Sequence, residues 1–201
     1  PPPQHVPPRP RIIEVVRDAQ GVPHVFAPSD TGACKGAGYV AACDRLFQME
    51  FFRRSMSGRL AEIFPLVPYA GALDSDKRAR TLGFARYATD LLADAAFDSV
   101  TRGLLQAYAD GVNVRLAELR AGSAPWPPMF LALLGSSPSM EDWSAADCVL
   151  VWMYVEDLFG AFEWKDLHAG QSDPHAKGDP GGAVLRDLGN DQFARLERAR
   201  P

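Results

Sequence analysis

Apolar residues cluster in two short β-prone runs before about residue 30 and recur at every third or fourth position after it, and this switch divides the chain. Ile12-Ile13-Glu14-Val15-Val16 and Val22-Pro23-His24-Val25-Phe26 are rich in β-branched side chains and flank Asp18-Ala19-Gln20-Gly21, so residues 12–27 are expected to form a β-hairpin. Pro23 lacks a ladder donor and belongs at an edge or on the first residue of its strand, which leaves the first strand to pair with something else, a partner chain being one candidate. Over residues 31–64 the pattern is helical: Val40, Cys43, Phe47 and Phe51 form one stripe, Leu46 and Met49 widen it, and Gly58 is placed to bend or end it. A second helix is expected over residues 83–96. A third runs from Asp98, as N-cap, through Val100, Leu104, Tyr108, Val112, Leu116 and Leu119 to a stop at Gly122. Pro125-Trp126-Pro127-Pro128 forces a loop before a short apolar helix over residues 129–134 that Gly135 ends.

Ser144-Ala145-Ala146-Asp147 has the spacing of a capping box, with Asp147 in place of Glu or Gln, and opens a helix through Trp152 to about Trp164. That helix is apolar on nearly all sides and must be covered all round, for which so short a chain lacks surface; a missing partner is expected.

Residues 1–10 hold six prolines, so residues 1–11 are read as an extended arm lying on another surface, residues 12–167 as the folded unit, and residues 168–201 as linker and tail. Within that tail Leu185, Leu188, Phe193 and Leu196 could form a weak terminal helix. An apolar content of 47% is that of a globular chain, and a net charge of −4 with scattered Lys and Arg argues against a nucleic-acid partner. The longest apolar run, residues 149–162, is interrupted by Glu156 and Asp157 and falls short of the roughly 20 residues of a membrane span. The chain opens Pro1-Pro2-Pro3 without a Met, which leads us to expect a removed leader, a signal peptide in preference, and a secreted or periplasmic protein. Cys34 and Cys43, on one helix, would lie about 13.5 Å apart, too far for a disulfide. With Cys148 they are read as small buried apolar residues and do not choose a redox compartment.

Six motifs then carry a resemblance. The fullest is Gly38-Tyr39-Val40-Ala41-Ala42-Cys43-Asp44-Arg45-Leu46-Phe47-Gln48-Met49-Glu50, followed by Arg53-Arg54 and Gly58-Arg59-Leu60-Ala61-Glu62-Ile63-Phe64. Around it, in order, stand Arg17-Asp18-x-x-Gly21-Val22-Pro23-His24, Arg80-x-Leu82-Gly83, Tyr108-Ala109-Asp110-Gly111-Val112-Asn113, Phe130-x-x-x-Leu134-Gly135-x-x-Pro138 and Trp143-x-x-x-Asp147. Together, over roughly residues 12–167, they resemble the α chain of the penicillin acylases, which are N-terminal-nucleophile amide hydrolases. Residues 169–201 carry no motif of that family. Cys43 stands where relatives usually have Gln, which is read as a packing change.

The resemblance implies an α+β fold: a mostly helical α chain with an N-terminal β-hairpin, completing an αββα heterodimer with a β chain cut from the same precursor. It places no catalytic residue on this chain, because the family's nucleophile is the first β-chain residue, usually Ser, whose own α-amine is the general base. It implies hydrolysis of linear N-acyl amides such as penicillins, and related deacylases of acyl-homoserine lactones, cephalosporins and lipopeptides share the architecture. The family lines its acyl pocket with a Met and, three residues on, an Arg-Phe pair; counted from Asp147, these positions fall on Glu156, Phe159 and Gly160. Gly at the aromatic position implies a larger acyl cavity. One α-chain carboxylate binds calcium in the family, which the same count puts at Asp166, with Glu163 the choice if the count slips by a turn.

Other candidates are weaker. His5, His24, His168 and His175 are scattered, with His24 read as structural. Arg53-Arg54 with Glu50 and Glu62 is read as an ion-paired helix face, and Ser55 and Ser57 lack a nucleophile-elbow pattern. The rival from a different class is a non-catalytic helical binding or adaptor module.

Overall fold

A computed structural model describes residues 11–63, 71–134 and 139–168, and the side chains among them except those of residues 133, 134 and 159–168. The expected arm and the terminal helix over residues 185–196 lie outside the described residues.

Strands β1 (Glu14–Arg17) and β2 (Pro23–Phe26) form the expected antiparallel hairpin, with Val15 opposite Val25 and Arg17 opposite Pro23. Its reversal is built by Asp18, whose Oδ1 accepts from the backbone N–H groups of Gln20 and Val22, both at 2.9 Å, while Gly21 takes φ +80°. Asp18 Oδ2 also lies 3.2 Å from His24 Nε2, so His24 is structural as read. Arg17 ties the hairpin to the next helix through a two-pronged pair with Asp44 at 2.7 and 3.1 Å.

Helix α1 (Asp30–Ser57) is capped by Ser29 Oγ, which accepts from Gly32 N–H, and ends at Gly58, whose φ of +70° suits a residue without Cβ. It kinks at Arg45 (φ −137°). Its buried face runs through Val40, Ala42, Leu46 and Met49, while Cys43, Phe47 and Phe51 of the expected stripe are only half-buried. The kink and the closeness of α4 (Ser99–Arg120) together turn that face: Gly38 and Gly111 bring the two backbones into contact, and a Cβ on either would meet a carbonyl oxygen of the other helix at 2.0 or 1.9 Å. Asp98 caps α4 as expected, accepting from Thr101 N–H at 2.7 Å, and Gly122 (φ +71°) follows its end.

Helix α2 (Ala72–Leu82) was not expected from the apolar pattern, and the expected helix over residues 83–96 is the shorter α3 (Phe84–Ala93), set off from α2 by Gly83 at φ +76°. Helix α2 is charged because it works through polar contacts: buried Asp76 accepts from the N–H groups of Leu60 and Ala61 at 2.6 and 3.0 Å. Helix α5 (Pro128–Leu134) and the long α6 (Ala145–His168) follow among the described residues. Asp147 accepts from Ser144 N–H at 2.8 Å, which is half of the expected capping box; the Ser144 hydroxyl donates to the same carboxylate instead of capping the backbone. The main core joins α1, α4 and α5 around Leu46, Val112, Leu116 and Phe130. Among the described residues no helix is long and apolar enough to cross a membrane.

Candidate functional site

Beside the core, α1, α4 and α6 leave an apolar groove of about 340 Å³. Cys34 and Met49 of α1, Leu104, Leu105 and Tyr108 of α4, and Cys148, Val151, Trp152 and Val155 of α6 line it, with Trp143 from the segment before α6. It is open: Trp152 is 55% exposed, although a side chain of its size normally gains by burial. Val100, Leu104 and Tyr108, read as core positions, are the open half of the α4 stripe, and only Val112, Leu116 and Leu119 are sealed.

The groove's Trp143 is held by an ionic frame. Asn113 clamps its backbone, accepting from Trp143 N–H at 2.7 Å and donating to Trp143 C=O at 2.8 Å. Arg53 lies over the indole at 5.0 Å and donates to the carbonyls of Glu141 and Asp142. Behind it sits Glu50, 0% exposed and 2.5 Å from a nitrogen of both Arg53 and Arg54. Arg54 also pairs with Glu62, and Arg59 joins Glu62 to Glu141. The Arg-Arg motif is thus ion-paired as read, but it is buried rather than on a solvated face. The sequence signal was there, since Glu50, Arg53 and Arg54 sit at i, i+3 and i+4, but nothing local tells a buried frame from a surface one.

Chemically the groove suits holding an apolar group rather than transferring protons. Burial pushes the Cys148 thiol up to about 12, so it is a neutral thiol at ordinary pH, donating weakly to Leu105 C=O at 3.6 Å. Burial also raises Tyr108. All three cysteines are free and half-buried, in keeping with small apolar roles.

All four residues expected at the site lie on α6. Glu156 is exposed and follows Val155, which lines the groove, but Glu156 itself does not. Phe159, Gly160 and Asp166 continue the same helix, with side chains outside those described. Among the described residues no cluster of three or more His, Cys, Asp or Glu could hold a metal ion.

Residues 13–197 match the penicillin amidase family, so the match runs through most of the tail in which the sequence showed no motif. The chain is 34% identical over 153 residues to penicillin acylase 2 proenzyme of Pseudomonas sp. strain SE83, covering 76% of this chain and 18% of that protein. It is 34% identical over 139 residues to acyl-homoserine lactone acylase QuiP of Pseudomonas fluorescens strain Pf-5, covering 69% of this chain and 16% of that protein. The chain therefore spans less than a fifth of the curated relatives it matches. Its fold is similar to that of a thermostable penicillin G acylase from Alcaligenes faecalis, with a TM-score of 0.64 at 30% identity, covering 87% of this chain and 89% of that one.

Proposed function

This chain belongs to the penicillin amidase family, and from that premise we infer that it is the α chain of an acylase that hydrolyses the linear amide bond of N-acyl compounds. The observation that carries the reading is a contrast of lengths. The chain accounts for 18% of a proenzyme relative, yet it matches a solved acylase chain almost end to end, 87% of one against 89% of the other. A separate polypeptide of this size, cut from a longer precursor and leaving a β chain as partner, accounts for both. The open groove and the exposed Trp152 and Leu158 of α6 are what such an α chain leaves bare when seen alone.

In this reading the β chain completes the αββα layers and brings the nucleophile. Its N-terminal Ser hydroxyl attacks the amide carbon and passes its proton to its own α-amine, whose unperturbed pKa of about 7.7–8 leaves a fraction neutral near pH 7. The amine proton then goes to the leaving amine, and water releases the acyl group from the Ser oxygen by the same route in reverse. The α chain contributes shape: Trp143 is held on the ionic frame, Trp152 borders the groove, and in this reading Phe159 and Gly160 line the acyl side with Glu156 at its exposed rim. Penicillins and acyl-homoserine lactones are the substrates that the relatives' names suggest, and Gly160 at an aromatic position favours acyl chains longer than phenylacetyl. Calcium at Asp166 would rest chiefly on β-chain oxygens, because a single carboxylate supplies at most two of the 6–8 oxygens the ion takes. No step of the reaction is routed through it. Secretion or export to the periplasm fits an enzyme of this kind.

Purification from the native source tests the reading. A longer chain beginning with Ser, Thr or Cys should co-purify, and the pair should release amine from N-acyl substrates; a folded, soluble monomer with no companion would leave the adaptor module as the better description. In the pair, Gly160→Phe should shift relative rates from long-chain toward phenylacetyl substrates by about tenfold or more, since even one methylene in an apolar pocket discriminates by roughly 10–200-fold. Unchanged ratios would remove Gly160 from the acyl site.

A further inference from the structure

Two residues that line the apolar groove carry donors without an acceptor, Trp143 and Tyr108. Trp143 is 3% exposed, and its buried Nε1–H has no hydrogen-bond partner among the described residues. A buried indole normally finds one, because an unmade hydrogen bond costs the full desolvation of the N–H. The ring is not free to turn in search of it: Asn113 holds the backbone through both N–H and C=O, and Arg53 lies against the indole face. Tyr108 is half-buried on α4, and its hydroxyl is bonded to nothing among the described residues. Burial raises it further, so it keeps its proton and can donate. Its place is set by the helix crossing, since Gly38 of α1 lies directly against the Tyr108 carbonyl. Other polar groups of the lining are already engaged: Thr101 Oγ1 donates to Asp98 and the Cys148 thiol to Leu105 C=O, while Cys34 offers only a weak thiol donor.

We propose that the groove selects acyl groups whose chain carries a carbonyl oxygen beyond the amide, which accepts from the Tyr108 hydroxyl and from Trp143 Nε1–H. This deepens the acylase reading and rests on it. A volume of about 340 Å³ falls in the range of small-molecule pockets, in which an apolar wall gives affinity and a few placed polar groups fix orientation. The indole N–H can only donate, so the group it meets must be an acceptor. A carboxylate is the wrong one, because burying its charge against an apolar lining costs more than two neutral donors return. A carbonyl oxygen is uncharged and has two lone pairs, one for each donor, whereas an unsubstituted chain fills the same space and leaves both unpaired.

The assembled two-chain enzyme tests this with N-acyl amides of one chain length, unsubstituted or with an oxo group at successive positions. One oxo position should raise kcat/KM above that of the unsubstituted chain. Tyr108→Phe, which removes the hydroxyl and keeps the ring, should cut that ratio about three- to tenfold, the worth of one neutral hydrogen bond. Trp143→Phe should cut it by a similar factor; since it also leaves a gap in the core, its readout is the ratio of the two substrates and not the rate. The free oxo acid should inhibit more strongly than the plain acid and lose that advantage in Tyr108→Phe. Indifference of the unaltered enzyme to an oxo group at every position, or a ratio that Tyr108→Phe leaves unchanged, would overturn the donor pair while an enzyme that still cleaves these amides leaves the acylase reading standing. Absence of a second chain and of any amide hydrolysis would overturn both.

Discussion

The two halves of α4 carry the same apolar spacing and meet different surroundings. Its C-terminal half, through Val112, Leu116 and Leu119, is sealed against α1 and α5, and Leu116 is 0% exposed. In its N-terminal half Leu104 and Tyr108 line the groove, and Val100, one turn earlier, is 67% exposed. Spacing therefore records which face of a helix is buried in the working molecule, whereas a single chain shows only the part of that burial it performs itself. The sealed half is core; on the proposed function the open half is what remains for an acyl group or another chain to cover.

The sealed side rests on the Glu50 frame, and its loss is the largest effect expected. Glu50→Ala removes the buried counter-charge shared by Arg53 and Arg54 and should destabilise the fold by about 3–5 kcal/mol, read as a fall in the denaturation midpoint of the protein. A loss below about 1 kcal/mol would mean that water reaches the pair. Within α4 itself, Leu116→Ala should cost about 2–5 kcal/mol, the ordinary range for a filled core position, while Leu104→Ala should cost under about 1 kcal/mol in this chain's own packing. If Leu104→Ala leaves stability nearly untouched but weakens long-chain substrates or assembly, the open half has a partner; equal losses at both sites would erase the distinction between them.

At the boundary between the halves, Gly111→Ala should cost about 1–3 kcal/mol, because the added methyl meets the Lys35 carbonyl rather than a side chain that can swing away. The measurement is again the unfolding midpoint, and a neutral result would show that α1 and α4 can separate without loss.

Elements with a strong local signal were legible in the sequence. The hairpin followed from β-branched runs around Asp18 and Gly21, the ends of α1 and α4 from Gly58 and Gly122, and the start of α4 from Asp98. Helix α2 was not, because it is held by Asp76 reaching the Leu60 and Ala61 amides, a contact between distant residues that leaves no apolar period. The stripe on α1 was displaced toward Ala42, Leu46 and Met49 because Gly38 and Gly111 set how α4 lies against it. The groove itself was not legible: the sequence marks Trp152 and Leu104 as positions to be covered, and that pattern is the same whether this chain or another covers them.

The smallest effect separates the exposed rim of the frame from its buried centre. Arg59 donates to Glu62 and to Glu141, at 3.0 and 2.6 Å for the shortest contacts, and holds both carboxyls below their ordinary 4.5. A carboxylate whose pKa is lowered by folding stabilises the fold above about pH 4.5 and gives that up as the pH falls through the lowered value. Both carboxylates face water, so screening keeps the contribution to about 1 kcal/mol or less. Arg59→Gln should therefore flatten the decline of the melting temperature between pH 5 and 3 while leaving the value at pH 7 only slightly lower. Parallel curves for the two proteins would mean that Glu62 and Glu141 gain nothing from Arg59.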